Sequence, residues 1–98
     1  MKIKMPVSVN YGRDIVIDVE LVDVAPHIAH IATMAIGPQV LRDGHLRGWR
    51  LHNVETGSCI ASCDHDTRNG CLKAAVARLR RVTPEEAESA MRAFTKRL

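Results

Sequence analysis

The chain contains few aromatic residues and no long apolar run. Only three aromatic side chains occur in 98 residues, so the core has to be built from aliphatic side chains and methionine. No stretch approaches the roughly 18 apolar residues that a membrane-spanning helix needs. The first residues also lack the uninterrupted apolar segment of a secretory signal. We therefore expect a cytoplasmic protein that is not embedded in a membrane.

Cysteine is also scarce, and the count is odd. Three cysteines cannot all pair within one chain, and in the cytoplasm they are expected to be reduced thiols. The three cysteines and one histidine could at first suggest zinc ligands. Their spacing lacks the paired C-x2-C units of structural zinc sites, which leaves zinc as a minor alternative and predicts no cofactor. The residues of this alternative are Cys59, Cys63, His65 and Cys71.

No catalytic constellation can be assembled from the sequence. Cys71 is the best nucleophile candidate, because it lies near a predicted helix N-terminus, where the dipole lowers a thiol pKa. No base follows it at a recognisable spacing, and the five histidines form no metal-binding helical pair. The glycines are isolated at turns and do not form a phosphate-binding loop. These patterns predict a protein that is not an enzyme.

Length and composition predict one globular domain over residues 1–98. The chain is 46% hydrophobic and 26% charged, which is ordinary for a folded protein and argues against disorder. Charge, however, is unevenly distributed. Residues 1–65 hold six Lys/Arg and seven Asp/Glu, a net of −1, whereas residues 66–98 hold eight and four, a net of +4.

The basic last third has two interpretations. Cations at helix C-termini are favoured by the helix dipole, and this interpretation is the preferred one. The alternative is a nucleic-acid interface formed by Arg78, Arg80 and Arg81.

The N-terminal pattern predicts a β-hairpin. Apolar and polar residues alternate from Ile3 to Val9 and again from Ile15 to Val24, around a turn at residues 10–14. Pro6 cannot donate a ladder hydrogen bond, so the first strand is expected at an edge of the sheet. That free edge also makes a homodimer conceivable.

Residues 25–36 fit a strand or a helix. Ala25 offers no side-chain acceptor as an N-cap, which slightly favours the strand. Gly37 and Pro38 are expected to end the element. The polar residues 39–47 then predict an exposed loop.

A second hairpin is predicted between residues 49 and 63. If residues 55–57 form a three-residue loop with Gly57 in the left-handed conformation, Val54 pairs with Ser58 and Trp49 with Cys63. One face then holds the core residues Trp49, Leu51, Cys59, Ala61 and Cys63. The outer face holds Arg50, His52, Ile60 and Ser62.

Two helices are predicted after this hairpin. The first is capped by Asp66 or Thr67 and buries residues spaced at three and four, which are Leu72, Ala75, Val76 and Leu79. The second begins with a capping box in which Pro84 follows Thr83 and Glu86 completes the pair. Its predicted buried stripe is Ala87, Ala90, Met91, Phe94 and Leu98. The fold class is therefore α+β, an antiparallel sheet of about four strands with two C-terminal helices packed on one face.

The segment from Trp49 to Gly57, followed by the segment from Thr67 to Leu79, resembles a pattern in small phage and prophage proteins. There a Trp opens a strand, a Thr-Gly turn follows, and a Thr-capped, Ala-rich helix packs behind. The matching positions, about a third of the chain, are Trp49, Thr56, Gly57, Thr67, Ala74 and Leu79. A similar strand–strand–helix shape occurs in the arm-binding domains of tyrosine integrases, but this chain has few basic strand residues beyond Arg47 and Arg50.

The resemblance implies a protein that binds and inhibits a host factor, as anti-CRISPR and other anti-defence proteins do. The implied partner is a host protein, such as a component of a CRISPR effector, met in the host cytoplasm. The alternative is a DNA-binding accessory or regulatory domain of a mobile element. The predicted contact residues are those of a polar loop, the outer hairpin face and two strand carboxylates: Arg42, Arg47, Arg50, His52, Asp18 and Glu20.

Overall fold

The computed structural model describes residues 1–8, 14–41 and 45–95. Within these ranges five strands form one antiparallel sheet in chain order, and a 3-10 turn at Pro26–Ile28 joins the second strand to the third. The α+β architecture with two C-terminal helices is confirmed, and the sheet has five strands where about four were expected. The strands are β1 (Lys2–Ser8), β2 (Asp14–Leu21), β3 (Met34–Val40), β4 (Leu46–Asn53) and β5 (Cys59–His65), and the helices are α1 (Arg68–Leu79) and α2 (Pro84–Thr95).

The first hairpin agrees with its alternating pattern. β1 and β2 pair in continuous register from Lys2 opposite Glu20 to Ser8 opposite Asp14. Among the described strands, β1 pairs only with β2, so Pro6 lies on an edge strand as predicted. β2 ends at Leu21 and not at Val24, because the chain leaves the sheet there to enter the 3-10 turn.

Neither a single strand nor a single helix spans residues 25–36. β3 begins at Met34 and runs through Gly37 and Pro38, which were expected to end the element. Gly37 is required there, because a Cβ at this position would lie 2.6 Å from Cγ1 of Val19 on β2. The register of β3 against β4 shifts between Gly37 and Gln39, so the missing N–H of Pro38 falls at an irregularity of the ladder. The loop after β3 is consequently shorter than residues 39–47.

The sheet carries a hydrophobic core on each face. Ile36 belongs to the core that α1 covers, and its neighbour Ala35 belongs to the second core on the opposite face. The second core is formed by Met5, Val7, Ile17, Val19 and Ala35, and no described side chain of α1 or α2 belongs to it. The sheet instead curls, since a Cβ on Gly57 of the β4–β5 turn would lie 3.6 Å from the carbonyl oxygen of Pro6 on β1.

The second hairpin forms, but its predicted register is wrong. Gly57 has the expected positive φ of 71°, yet Asn53 donates its backbone N–H to Ser58 and so ends the strand one residue earlier than the predicted Val54–Ser58 pair. Leu51 consequently pairs with Ile60, and a further irregularity places Trp49 opposite His65. Cys59 is exposed and Ile60 packs on the helix-side core, which reverses the predicted faces of these two residues. Leu51 and Cys63 are buried there as predicted, and the side chain of Ala61 lies outside the described part.

Both helix caps are confirmed. Thr67 accepts the backbone N–H of Gly70 with its hydroxyl oxygen, and Thr83 and Glu86 exchange the two hydrogen bonds of a capping box. α1 buries Ala75 and Leu79 as predicted, but Cys71 takes the third buried position and Val76 is 47% exposed. On α2, Ala87 is buried and Ala90 is exposed, contrary to the predicted stripe. The side chain of Phe94, and Leu98 altogether, lie outside the described residues.

Candidate functional site

The strand residues predicted to contact a partner lie on opposite faces of the sheet. Glu20 pairs with Ile36, and Asp18 lies two residues away on the same strand, so both carboxylates belong to the helix-side face. His52 pairs with Ala35, so His52 and its near neighbour Arg50 belong to the other face. The fold therefore does not bring these four side chains onto one surface, and their role in binding stays a prediction.

His52 is buried and held in one orientation. Its side chain is 1% exposed, and Nε2 lies 3.1 Å from the carbonyl oxygen of Pro38, which fixes the proton on Nε2. Nδ1 is then an acceptor, and it has no hydrogen-bond partner among the described residues. Burial lowers the pKa of His52, so the ring is neutral at neutral pH. His52 was predicted on the outer face of the hairpin. It lies on the second face of the sheet, and it is buried there.

Arg50 is engaged within the molecule. Its Nε and Nη2 donate to the two carboxylate oxygens of Asp64 at 2.7 and 2.6 Å, in the geometry of a bidentate pair. Its Nη1 also lies 3.5 Å from Sγ of Cys59. The bond to Asp64 raises the pKa of Arg50 further above its usual range. Contact with a partner through Arg50 would have to compete with this pair.

The two strand carboxylates are also paired. Asp18 accepts a hydrogen bond from Lys4 of the neighbouring strand at 2.9 Å, where both side chains are exposed. Glu20 accepts from Arg68 at the start of α1, and this contact lowers the pKa of Glu20. Arg47 is exposed near the start of β4, and Arg42 lies outside the described residues.

The residues of the zinc alternative are not arranged as a metal site. In the described ranges no group of three or more metal-binding side chains comes together. Cys59 is exposed, whereas Cys63 and Cys71 are buried in the helix-side core. Burial raises the pKa of Cys71 to about 11, so the expected activation of this thiol by the helix dipole is wrong. Nδ1 of His65 accepts the backbone N–H of Thr67 at the start of α1.

The outer face of α1 combines apolar surface with positive charge. Residues 67–84 contain five Lys/Arg and no Asp/Glu. On the side turned away from the sheet, the apolar side chains form a shallow depression that two cations border. We call this set of residues the α1 outer face; it consists of Leu72, Val76 and Ala77 with Lys73 and Arg80. Lys73, Val76, Ala77 and Arg80 are exposed, and Leu72 is half-buried.

The three arginines of the nucleic-acid alternative do not share one face. All three are exposed, but Arg78 and Arg80 are two positions apart on helical backbone, which separates their directions by about 200°. Arg78 lines a cavity beside α2, whereas Arg80 belongs to the α1 outer face. Of the α1 outer face, Arg80 was a predicted contact residue, whereas Leu72, Lys73, Val76 and Ala77 were not. The signal that could have found them is the run of 18 residues without an acidic side chain.

Comparison with known proteins gives no relative: no family model, curated protein or solved structure matches the chain. Among the described residues, no helix is both long and apolar enough to cross a membrane.

Proposed function

We propose that this chain is a non-catalytic protein of the phage or prophage type that binds and inhibits an acidic host protein through the α1 outer face. An anti-defence role is the specific form of the proposal, with a CRISPR effector component as the host partner in the cytoplasm. The observation that carries it is the exposed Val76, which lies among Leu72 and Ala77 and between two cations.

The mixture of apolar and basic side chains favours a protein partner. Protein interfaces have an apolar centre with a polar rim, whereas interfaces with DNA are more polar and depend on many phosphate contacts. Val76 supplies the centre, and Lys73 and Arg80 supply the rim. Because no acidic residue lies on this helix, the complementary surface has to be acidic.

The same charges argue against a homodimer through this face. A two-fold interface brings the same patch of both copies together, so Lys73 and Arg80 would meet cations. The homodimer considered for this chain would instead use the outer edge of β1, which is the edge strand of the sheet that the described residues form. The elution volume of the native protein in size-exclusion chromatography with light scattering distinguishes a monomer from such a dimer.

Affinity purification from a bacterial host, followed by mass spectrometry and a CRISPR interference assay, tests the main proposal. The wild type is expected to retain a specific acidic protein and to reduce interference. Val76→Glu should lose both effects. The matched control is Val16→Glu, because Val16 is another exposed valine, 63% exposed on β2 where Val76 is 47% exposed on α1. Recovery of no specific protein, with interference unchanged, would refute the proposal.

The second candidate function is a DNA-binding accessory domain of a mobile element. Its support is the five cations of residues 67–84, of which Arg68 alone is paired with a described carboxylate. Binding of this kind should weaken steeply with salt, and substitution of Arg78, Arg80 and Arg81 together should reduce it. A gel-shift assay at low salt that shows no retardation of duplex DNA would remove this candidate.

A further inference from the structure

A cavity of about 310 Å³ lies between α2, the end of α1 and the β4–β5 hairpin. Two small side chains of α2, those of Ala87 and Ala90, line it together with Met34 and Ile60. The wall consists mostly of aliphatic and thioether side chains. Its apolar residues are Ile28, Ala32, Met34, Ile60, Leu79, Val82, Ala87, Ala90 and Met91. A volume at the lower end of the range for ligand pockets suits a small ligand.

One buried polar group in the cavity wall has a poor partner. Asn53 is 8% exposed, and its Nδ2 donates to Sδ of Met91 at 3.4 Å. A thioether sulfur is a weak acceptor, so the amide would gain from an oxygen acceptor within the cavity. Its Oδ1 is already used, because it accepts from the backbone N–H of Thr56. The unmet requirement is therefore for an acceptor and not for a donor.

The guanidinium of Arg78 supplies a positive charge at the same cavity. Arg78 lines it and is exposed, and its guanidinium makes no hydrogen bond or ion pair with any described residue. The one carboxylate in the lining, Glu86, accepts the backbone N–H of Thr83 in the capping box of its own helix. An apolar cavity with a donor amide and a free guanidinium is complementary to an aliphatic chain that ends in a carboxylate.

We propose that this cavity binds a medium-chain aliphatic carboxylate. The chain lies among Met34, Ile60 and Ala90, and the carboxylate accepts from Arg78 or from Asn53. This site is independent of the α1 outer face, because Arg78 and Arg80 point in different directions from the helix axis.

Titration of the full chain with hexanoate, octanoate and decanoate, each below its micelle concentration, tests the proposal. Heteronuclear NMR should show saturable shifts of the backbone amides of Ala32, Met34, Ile60 and Ala90. Each added methylene should tighten binding by about four-fold until the cavity is full. Decanol and decyltrimethylammonium serve as probes with the same chain length but without the negative charge. Both should bind at least ten-fold more weakly than decanoate.

Two variants separate the cavity from non-specific adsorption. Ala90→Phe fills the space and should abolish binding, whereas Ala93→Phe, at an exposed position of the same helix that does not line the cavity, should leave it unchanged. Arg78→Gln alters only an exposed side chain and should weaken decanoate by about ten-fold or more while sparing decanol. The Arg78→Gln variant still tests the proposal if Ala90→Phe does not fold. The proposal is overturned by absence of saturable shifts, by tighter binding of the cation, or by equal effects of the two alanine variants.

Discussion

Glu20 and Arg68 join β2 to the first turn of α1 across 48 residues of sequence. Arg68 donates from Nε to Oε2 at 2.9 Å and from Nη2 to Oε1 at 2.8 Å, so both carboxylate oxygens are held. Arg68 also lowers the pKa of Glu20. The pair links the start of α1 to the sheet, in addition to the buried residues Cys71, Ala75 and Leu79, which pack the helix on the core.

Replacement of Glu20 by Gln should lower the melting temperature slightly at low salt. The pair is partly exposed, so the difference should vanish at about 1 M salt, where screening is strong. Because the folded-state pKa of Glu20 lies below 4.5, the stabilisation is complete above that pH and is lost as the pH falls further. The control Asp18→Asn, which breaks a more exposed pair, should have a smaller effect. Differential scanning calorimetry measures the melting temperature of both variants at low and high salt. An effect of Glu20→Gln that does not depend on the salt concentration would contradict this explanation.

Acid should destabilise the fold through His52. Burial lowers its pKa in the folded state, whereas the unfolded chain takes up the proton near pH 6.5. Stability should therefore fall as the pH is lowered through 6.5, until the folded state itself is protonated. In urea denaturation between about pH 7 and 5, His52→Gln should reduce this slope, because glutamine does not titrate. His30→Gln, at an exposed position, should retain the slope; an equal reduction by both variants would count against the assignment.

Gly37→Ala should destabilise the protein by about 1–3 kcal/mol, the usual cost of overpacking. The reason is the 2.6 Å approach of the added Cβ to Cγ1 of Val19. Val19→Ala removes that carbon, so the cost of Gly37→Ala should be smaller in the Val19→Ala background. A double-mutant cycle in urea measures the coupling between the two positions. Strict additivity of the two substitutions would show that the contact is not the cause.

One of the three thiols should react quickly with a disulfide reagent in the native protein. Cys59 is exposed, whereas Cys63 and Cys71 are buried and burial raises the pKa of each thiol. The thiolate is the reactive form, so both buried residues should react only as the chain opens. All three should react at once in denaturant. Mass spectrometry of peptides labelled under native conditions identifies the site, and rapid labelling of Cys71 would contradict its buried position.

Local sequence patterns predicted the local structure well. The Thr67 and Thr83 caps and the alternation of β1 and β2 depend on neighbouring residues only, and each was confirmed. The predicted register of β4 against β5 was wrong, because the observed register depends on a turn that starts at Asn53 and on an irregularity between Trp49 and Leu51. Neither feature leaves a periodic signal in the sequence.

The position of the candidate site was harder to predict than the fold. Alternation correctly placed His52 and Leu51 on opposite faces of the sheet. It does not reveal that the sheet curls and that its second face is covered as well. Helical spacing predicted Val76 within the buried stripe, which was wrong, because α1 buries the narrower row Cys71, Ala75 and Leu79. Tertiary packing decides which member of an apolar stripe remains exposed, so the α1 outer face became visible only in the structure.

The most direct test of the central claim compares two charge-reversal variants in the same host capture. Lys73→Glu with Arg80→Glu alters the α1 outer face, and Arg47→Glu with Arg92→Glu changes the net charge equally at two exposed positions outside that face. Lysates are treated with nuclease first, so that DNA cannot bridge the interaction. We expect the first variant to lose the captured host protein and the second variant to retain it. Equal retention by both variants, or equal loss, would contradict the central claim.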